Sequence, residues 1–374
     1  MVASIIETLT SNIIPILYAI ICAVGIAGNS LVVYVILSIS SIPTAKLSFL
    51  KRNRKRFEKS NGRIEIEYLK ERKFRKQTKN KEFIFLRLYK RLKCLKLSVT
   101  NYYLINLAIS DFILLFFIIF LIITVILKKW IFGLILCKIY FSIVYICQLN
   151  AAFIISFLSL NRWIAVRFPL LVKRYINLFI TRIIIFLCWT LSIILSIPVM
   201  VLTTIFHLKE NNETSEEKFF CIIAINPNVT NHTFLPEGIS PLKAFQFYWL
   251  TINFILPVTL IIIFYMQVLR LLKLNKNDSR LNVSTNRIKL YKKITTMCLV
   301  IIACYVICWT PYWTIQIILS IDPHFAENSI FVLIFSLAQI IAYLNSVLNP
   351  IIYSCFSEDF RSNFRMAWCF CKKK

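Results

Sequence analysis

Residues 100–127 read TNYYLINLAISDFILLFFIIFLIITVIL. One charged side chain, Asp111, stands in that stretch of 28 residues. A helix of this length rises about 42 Å, more than the roughly 30 Å hydrocarbon core of a bilayer. Lipid offers no partner to backbone polar groups, so such a run must pair its own as a helix. Six further runs share the pattern, at roughly residues 13–38, 137–162, 182–206, 245–271, 294–320 and 329–354. The expected fold is an all-α membrane protein, a seven-transmembrane helix bundle. The first run lacks the basic leader and small-residue cleavage site of a signal peptide, so it reads as a retained helix that also directs insertion.

Composition excludes the other classes. Hydrophobic residues make up 58% of the 374 and charged residues 16%. A soluble protein this apolar could not cover its surface with polar groups. The net charge of +27 would suit a nucleic-acid binder, but it is confined to short stretches between apolar runs. No nucleic-acid partner is expected; the partner implied by composition is the bilayer. With the N-terminus outside, the inner segments carry 38 Lys/Arg against 8 Asp/Glu, and the outer segments 6 against 8. The excess of Lys and Arg on one side predicts an extracellular N-terminus and a cytosolic C-terminus. Three glycosylation sequons, at Asn212, Asn228 and Asn231, fall together in an outer segment on this topology.

Polar residues inside the spans mark function, because burying them in lipid is costly. Asp111 is the one acid within any span. It needs polar partners, and Asn29, Asn345, Ser346 and Asn349 are the candidates. Pro257, Pro311 and Pro350 interrupt three spans near their middles, and Pro198 lies near the end of another. Each removes a backbone donor and bends its helix, which suits a hinge or simply a tolerated kink.

The motifs carry a resemblance. Gly28-Asn29 lies in the first span, Leu107-Ala108-Ile109-Ser110-Asp111 in the second and Trp189 in the fourth. Pro257 and Tyr265 follow in the fifth, Cys308-Trp309-Thr310-Pro311 in the sixth and Asn349-Pro350-Ile351-Ile352-Tyr353 in the seventh. In that order they resemble the rhodopsin-like (class A) G-protein-coupled receptors. The runs Thr100 to Leu107 and Asn345 to Pro350 are most similar to neuropeptide receptors of the somatostatin, allatostatin, galanin and opioid group. The resemblance spans nearly the whole chain, 1–374 as one receptor domain, apart from a basic insertion at about 39–92.

The resemblance implies a set of roles. Arg162, Trp309, Asn349, Pro350, Tyr353, Tyr265 and Pro257 would form the activation switch. The family's Asp-Arg-Tyr triplet is here Asn161-Arg162-Trp163. Asn161 cannot hold Arg162 by charge, so raised basal signalling is expected. Tyr305 stands where Phe is usual, and Ala152 where a larger aliphatic is usual. Asp111, Asn345 and Asn349 match a sodium-ion site, although Ala151 replaces a usual Ser beside Asn150. No other cofactor and no metal centre are implied. A disulfide between Cys137 and Cys221 is implied. So is palmitoylation of Cys369 and Cys371 after an amphipathic eighth helix from Phe360 to Phe370.

Amine receptors carry an Asp on the third helix where this chain has Val144. The ligand-binding candidates are instead uncharged: Gln148, Gln316, Gln339 and Tyr343, with aromatic walls from Tyr145, Trp249, Tyr312 and Trp313. An amide offers both donors and acceptors, which suits a peptide backbone or C-terminal carboxamide. Four acids between Glu210 and Glu217 would steer in a basic peptide. The expected function is thus a plasma-membrane receptor for a short, basic, amidated neuropeptide that activates a heterotrimeric G protein, and not an enzyme. A chemosensory or lipid receptor, a signalling-poor decoy and, more distantly, a transporter are the alternatives. The insertion, with 20 Lys/Arg between residues 46 and 96, reads either as a polybasic segment on the inner leaflet or as a translated intron.

Overall fold

The computed structural model describes residue 6 and residues 8–40, 99–168, 176–208, 218–224, 241–276, 285–322, 324–325 and 328–356, with the side chains of 38–40, 208, 241 and 272–294 left aside. Among the described residues seven helices are long and apolar enough to cross a membrane. Helix α1 spans Ile14–Ser40 after a π-helical turn at Leu9–Ile13. Helix α2 is Val99–Leu127, α3 Gly133–Arg167 and α4 Leu178–Leu195. The fifth span, α5, is helical over Pro241–Leu250, π-helical over Thr251–Ile255 and α-helical over Leu256–Lys276. Helix α6 is Thr285–Ile321 and α7 Ser329–Phe356. The chain divides into two units, residues 1–33 with 99–361 and residues 34–98 with 362–374. In the second, the described residues are the last turns of α1.

Hydroxyls inside the spans fold back on their own helix. Ser110 donates to the Asn106 carbonyl at 3.0 Å, Thr124 to Phe120 at 2.8 Å and Ser159 to Ile155 at 2.9 Å. That satisfies each one without a partner helix. Asn177 caps α4, its side chain accepting from the Ile180 N–H at 2.9 Å. Gly133, with φ +74°, opens α3 in the left-handed region that a side chain disfavours. Helix α3 is the most enclosed of the seven: Leu149, Ile154, Ile155 and Leu158 are fully buried, and Cys137, Tyr140, Val144 and Cys147 share one apolar core with Leu114, Leu115 and Ile118 of α2.

The fourth span ends sooner than the hydropathy suggests. Pro198 has no N–H, and α4 breaks at Ser196 before a last helical segment, Ile197–Leu202. Residues 203–206, expected as helix, are instead strand. β-Branched Thr203, Thr204 and Ile205 open β1, Thr203–Leu208, which pairs antiparallel with β2, Lys218–Ile223. The sequons at Asn212, Asn228 and Asn231, the insertion from 41 to 92, the expected eighth helix and Cys369 and Cys371 lie outside the described residues.

Candidate functional site

The β1–β2 hairpin is tied to the bundle at the start of α3. Cys137, at the start of α3, is disulfide-bonded to Cys221 of β2 across a Cα–Cα distance of 5.7 Å. The Trp130 N–H donates to the Phe219 carbonyl at 2.7 Å, tying the α2–α3 turn to the same strand. Trp130 also packs edge-on against Phe132, with centroids 5.0 Å apart.

A cleft lies between α3, α5 and α6. Tyr145 and Trp249 form one wall, their ring centroids 4.7 Å apart. Tyr312 and Trp313 form another, T-shaped at 5.3 Å. The Gln316 amide donates to the Tyr312 hydroxyl at 3.0 Å, and both residues line the cleft. No charged residue lines this cleft among the described residues. Five of the eight sequence candidates thus share one site. Gln246 and Ser320 also line it, and sequence reasoning missed both. Gln246 lies three residues before Trp249, on the same helical face, and that spacing was the available signal.

Gln148, Gln339 and Tyr343 do not line this cleft. Tyr18 of α1 donates to the Gln339 carbonyl oxygen at 2.9 Å, and the Gln339 amide donates to the Tyr343 hydroxyl at 3.1 Å. A polar partner on α1 holds both residues to the α1–α7 seam. Gln148 is buried on α3, one turn beyond the buried Val144.

Asp111 is sealed in the bundle at 1% exposure. Ser346 donates to one carboxylate oxygen at 2.7 Å and Asn349 to the other at 2.8 Å. Asn345 is buried nearby in sequence, but the direct partners are Ser346 and Asn349. Asn150 donates to Ser110 at 2.6 Å. The side-chain oxygens of Asn150, Asn345 and Asn349 are buried without a hydrogen-bond donor among the described residues. A carboxylate with orphaned amide oxygens is the donor chemistry of a hard cation, so these residues fit the ion that the resemblance implies. Asn29 donates to the Ser346 carbonyl at 2.9 Å. That carbonyl lies four residues before Pro350, which has no N–H to offer it. Gly28 lets the two helices approach, since a Cβ there would stand 3.1 Å from the Pro350 ring.

Toward the other end, Arg162 is buried, and its guanidinium donates to the Thr100 hydroxyl of α2. The Asn161 amide nitrogen and the Arg162 Nε are buried without an acceptor among the described residues. Tyr265 of α5 donates to the Thr295 carbonyl of α6 at 3.2 Å. Tyr353 is fully enclosed, and its hydroxyl has no partner among the described residues. Trp309 is buried between Tyr305 and Tyr312, with centroids at 6.3 and 5.8 Å. Pro257 is buried in α5.

Residues 84–353 match the 7 transmembrane receptor (rhodopsin family) model. The chain therefore belongs to the rhodopsin family of seven-transmembrane receptors, which are signalling proteins and not enzymes. It is 24% identical over 358 residues to somatostatin receptor type 1 of Rattus norvegicus, covering 96% of this chain and 72% of that one. It is 23% identical to somatostatin receptor type 2 of Mus musculus, covering 97% of this chain and 79% of that one. It is 24% identical to somatostatin receptor type 5 of Bos taurus, covering 96% and 76%.

Proposed function

We propose that this receptor binds a short, basic, C-terminally amidated peptide from outside the cell and activates a heterotrimeric G protein. The observation that carries the reading is the cleft between α3, α5 and α6, lined by no charged residue among those described and with the Gln316–Tyr312 pair on its wall. A neutral carboxamide both donates and accepts there without leaving a buried charge unpaired. The relatives are receptors for somatostatin, which favours a peptide. Val144 offers no counter-ion on α3, so the peptide's cationic groups belong with the acids between Glu210 and Glu217. The N-terminus and the sequons would face outside, and Cys369 and Cys371 would anchor the inner end to lipid. A sodium ion would be held by Asp111 with the amide oxygens of Asn150, Asn345 and Asn349. Its charge would offset the buried carboxylate.

Peptide-dependent nucleotide exchange tests this, measured on a panel of G proteins with membranes holding the full chain. A pool of amidated basic peptides should stimulate exchange, and Arg162→Ala should abolish it. Free-acid forms equal in potency to the amides would overturn the carboxamide assignment.

A further inference from the structure

Tyr305 makes a contact that the family resemblance does not supply. Its hydroxyl donates to the Asn253 backbone carbonyl at 2.7 Å, with both residues buried at 2% exposure. Asn253 lies in the π-helical turn Thr251–Ile255, four residues before Pro257. In an α-helix the N–H of residue 257 would donate to that carbonyl, and proline has none. Tyr305 of the sixth helix supplies a donor to that carbonyl in place of the missing Pro257 N–H. A phenylalanine at 305 would keep the ring and lose the bond.

We propose that Tyr305 is a positioning residue that latches α6 to the proline break of α5 and holds the resting state. The proposal rests on the receptor reading, in which the Arg162 end of α6 swings outward. Pro311 lies inside α6, six residues beyond Tyr305, and is the natural pivot. Six residues place the latch about 9 Å from that pivot. A rotation of about 5° displaces Tyr305 by about 0.8 Å, enough to stretch a bond of this length past hydrogen-bonding range. The latch thus opens at the start of the swing. Tyr265 and Thr295 close the same seam further along at 3.2 Å.

Native thiols report on the latch without ligand or G protein. Cys298 of α6 is completely buried, and Cys188 of α4 is buried away from this seam. The full chain in lipid nanodiscs is treated with methyl methanethiosulfonate, and each cysteine is followed by peptide mass spectrometry. Labelling of a buried thiol scales with its open population even when that population is small. Tyr305→Phe should speed Cys298 labelling about two- to tenfold, the worth of one neutral hydrogen bond, and leave Cys188 unchanged. Tyr248→Phe is the control. It removes another interhelical bond, from Tyr248 to the Leu195 carbonyl at 2.9 Å, and should leave Cys298 unchanged. Unchanged Cys298 labelling in Tyr305→Phe overturns the latch. So does equal acceleration at Cys188, or an equal effect of Tyr248→Phe. Agonist-free nucleotide exchange is measured alongside. Faster Cys298 labelling without exchange upholds the latch and counts against the signalling reading instead.

Discussion

Thr100 is where this chain restrains Arg162 in the absence of the family's acidic neighbour. The guanidinium has five N–H donors, and its side-chain bond is to the Thr100 hydroxyl on α2. Thr100→Val keeps the shape and removes the acceptor. A hydrogen bond to a charged group contributes about 1.5–3 kcal/mol. Thr100 is half-buried, so water replaces part of the loss, and the lower end applies. At about 1.4 kcal/mol per factor of ten, the agonist-free active population rises about tenfold. Asn161→Asp acts in the opposite sense. It sets a carboxylate beside a guanidinium whose Nε has no acceptor among the described residues, and basal activity falls by a similar factor. The double variant returns toward the starting level. The assay is agonist-free nucleotide exchange at matched receptor density, with Arg162→Ala defining zero. Thr100→Val no more active than the unaltered chain refutes the clamp, and a rise in Asn161→Asp refutes the account of the triplet.

Two further outcomes follow from the geometry. Cys137→Ser opens a covalent loop whose ends are 84 residues apart, worth about 4–5 kcal/mol of unfolded-state restraint in the chain-entropy model. Surface expression should collapse and β2 should become protease-sensitive, and an unchanged digestion pattern would show that hydrogen bonds alone seat the hairpin. Sodium, tested against potassium at constant ionic strength, should raise the thermal unfolding midpoint of the chain in detergent in a concentration-dependent way, as a ligand selective for the folded state must. Asp111→Ala should abolish that dependence, and a sodium effect surviving in the variant would remove the ion from this core.

The seven spans were legible because lipid imposes a single rule on every one of them, and hydropathy reads that rule directly. The run 329–354 and the helix Ser329–Phe356 differ by two residues at one end. The fourth span failed at its end for a local reason. Thr203 to Phe206 are apolar enough to extend a membrane helix, yet Pro198 had already weakened it and a strand partner lay beyond. Side-chain partners across helices were legible only to within a rotation. Asn345 and Asn349 share a helical face at four-residue spacing, and Ser346 and Asn349 share another at three. Both sets are polar, so composition does not say which face α7 turns toward Asp111. Tyr18 was hidden for a different reason. It sits in an apolar run, and its partner Gln339 is 321 residues away.

The prolines were legible as breaks, each a hinge or a tolerated kink, but not as which of the two, and the difference lies in what meets the carbonyl each one frees. Pro350 frees the carbonyl of Ser346, and Asn29 of α1 donates to it. Pro257 frees that of Asn253, and Tyr305 of α6 donates to it. Pro311 frees that of Ile307, a residue 68% exposed on the lipid-facing side, with no bond to it from another helix among the described residues. Two breaks are therefore braced by a neighbour, and a bend there costs a buried hydrogen bond. The third bends without losing one. On the latch proposed above, that asymmetry would make α6 the helix that moves, α5 and α7 the frame it moves against, and Tyr305 the contact through which frame and moving part are joined.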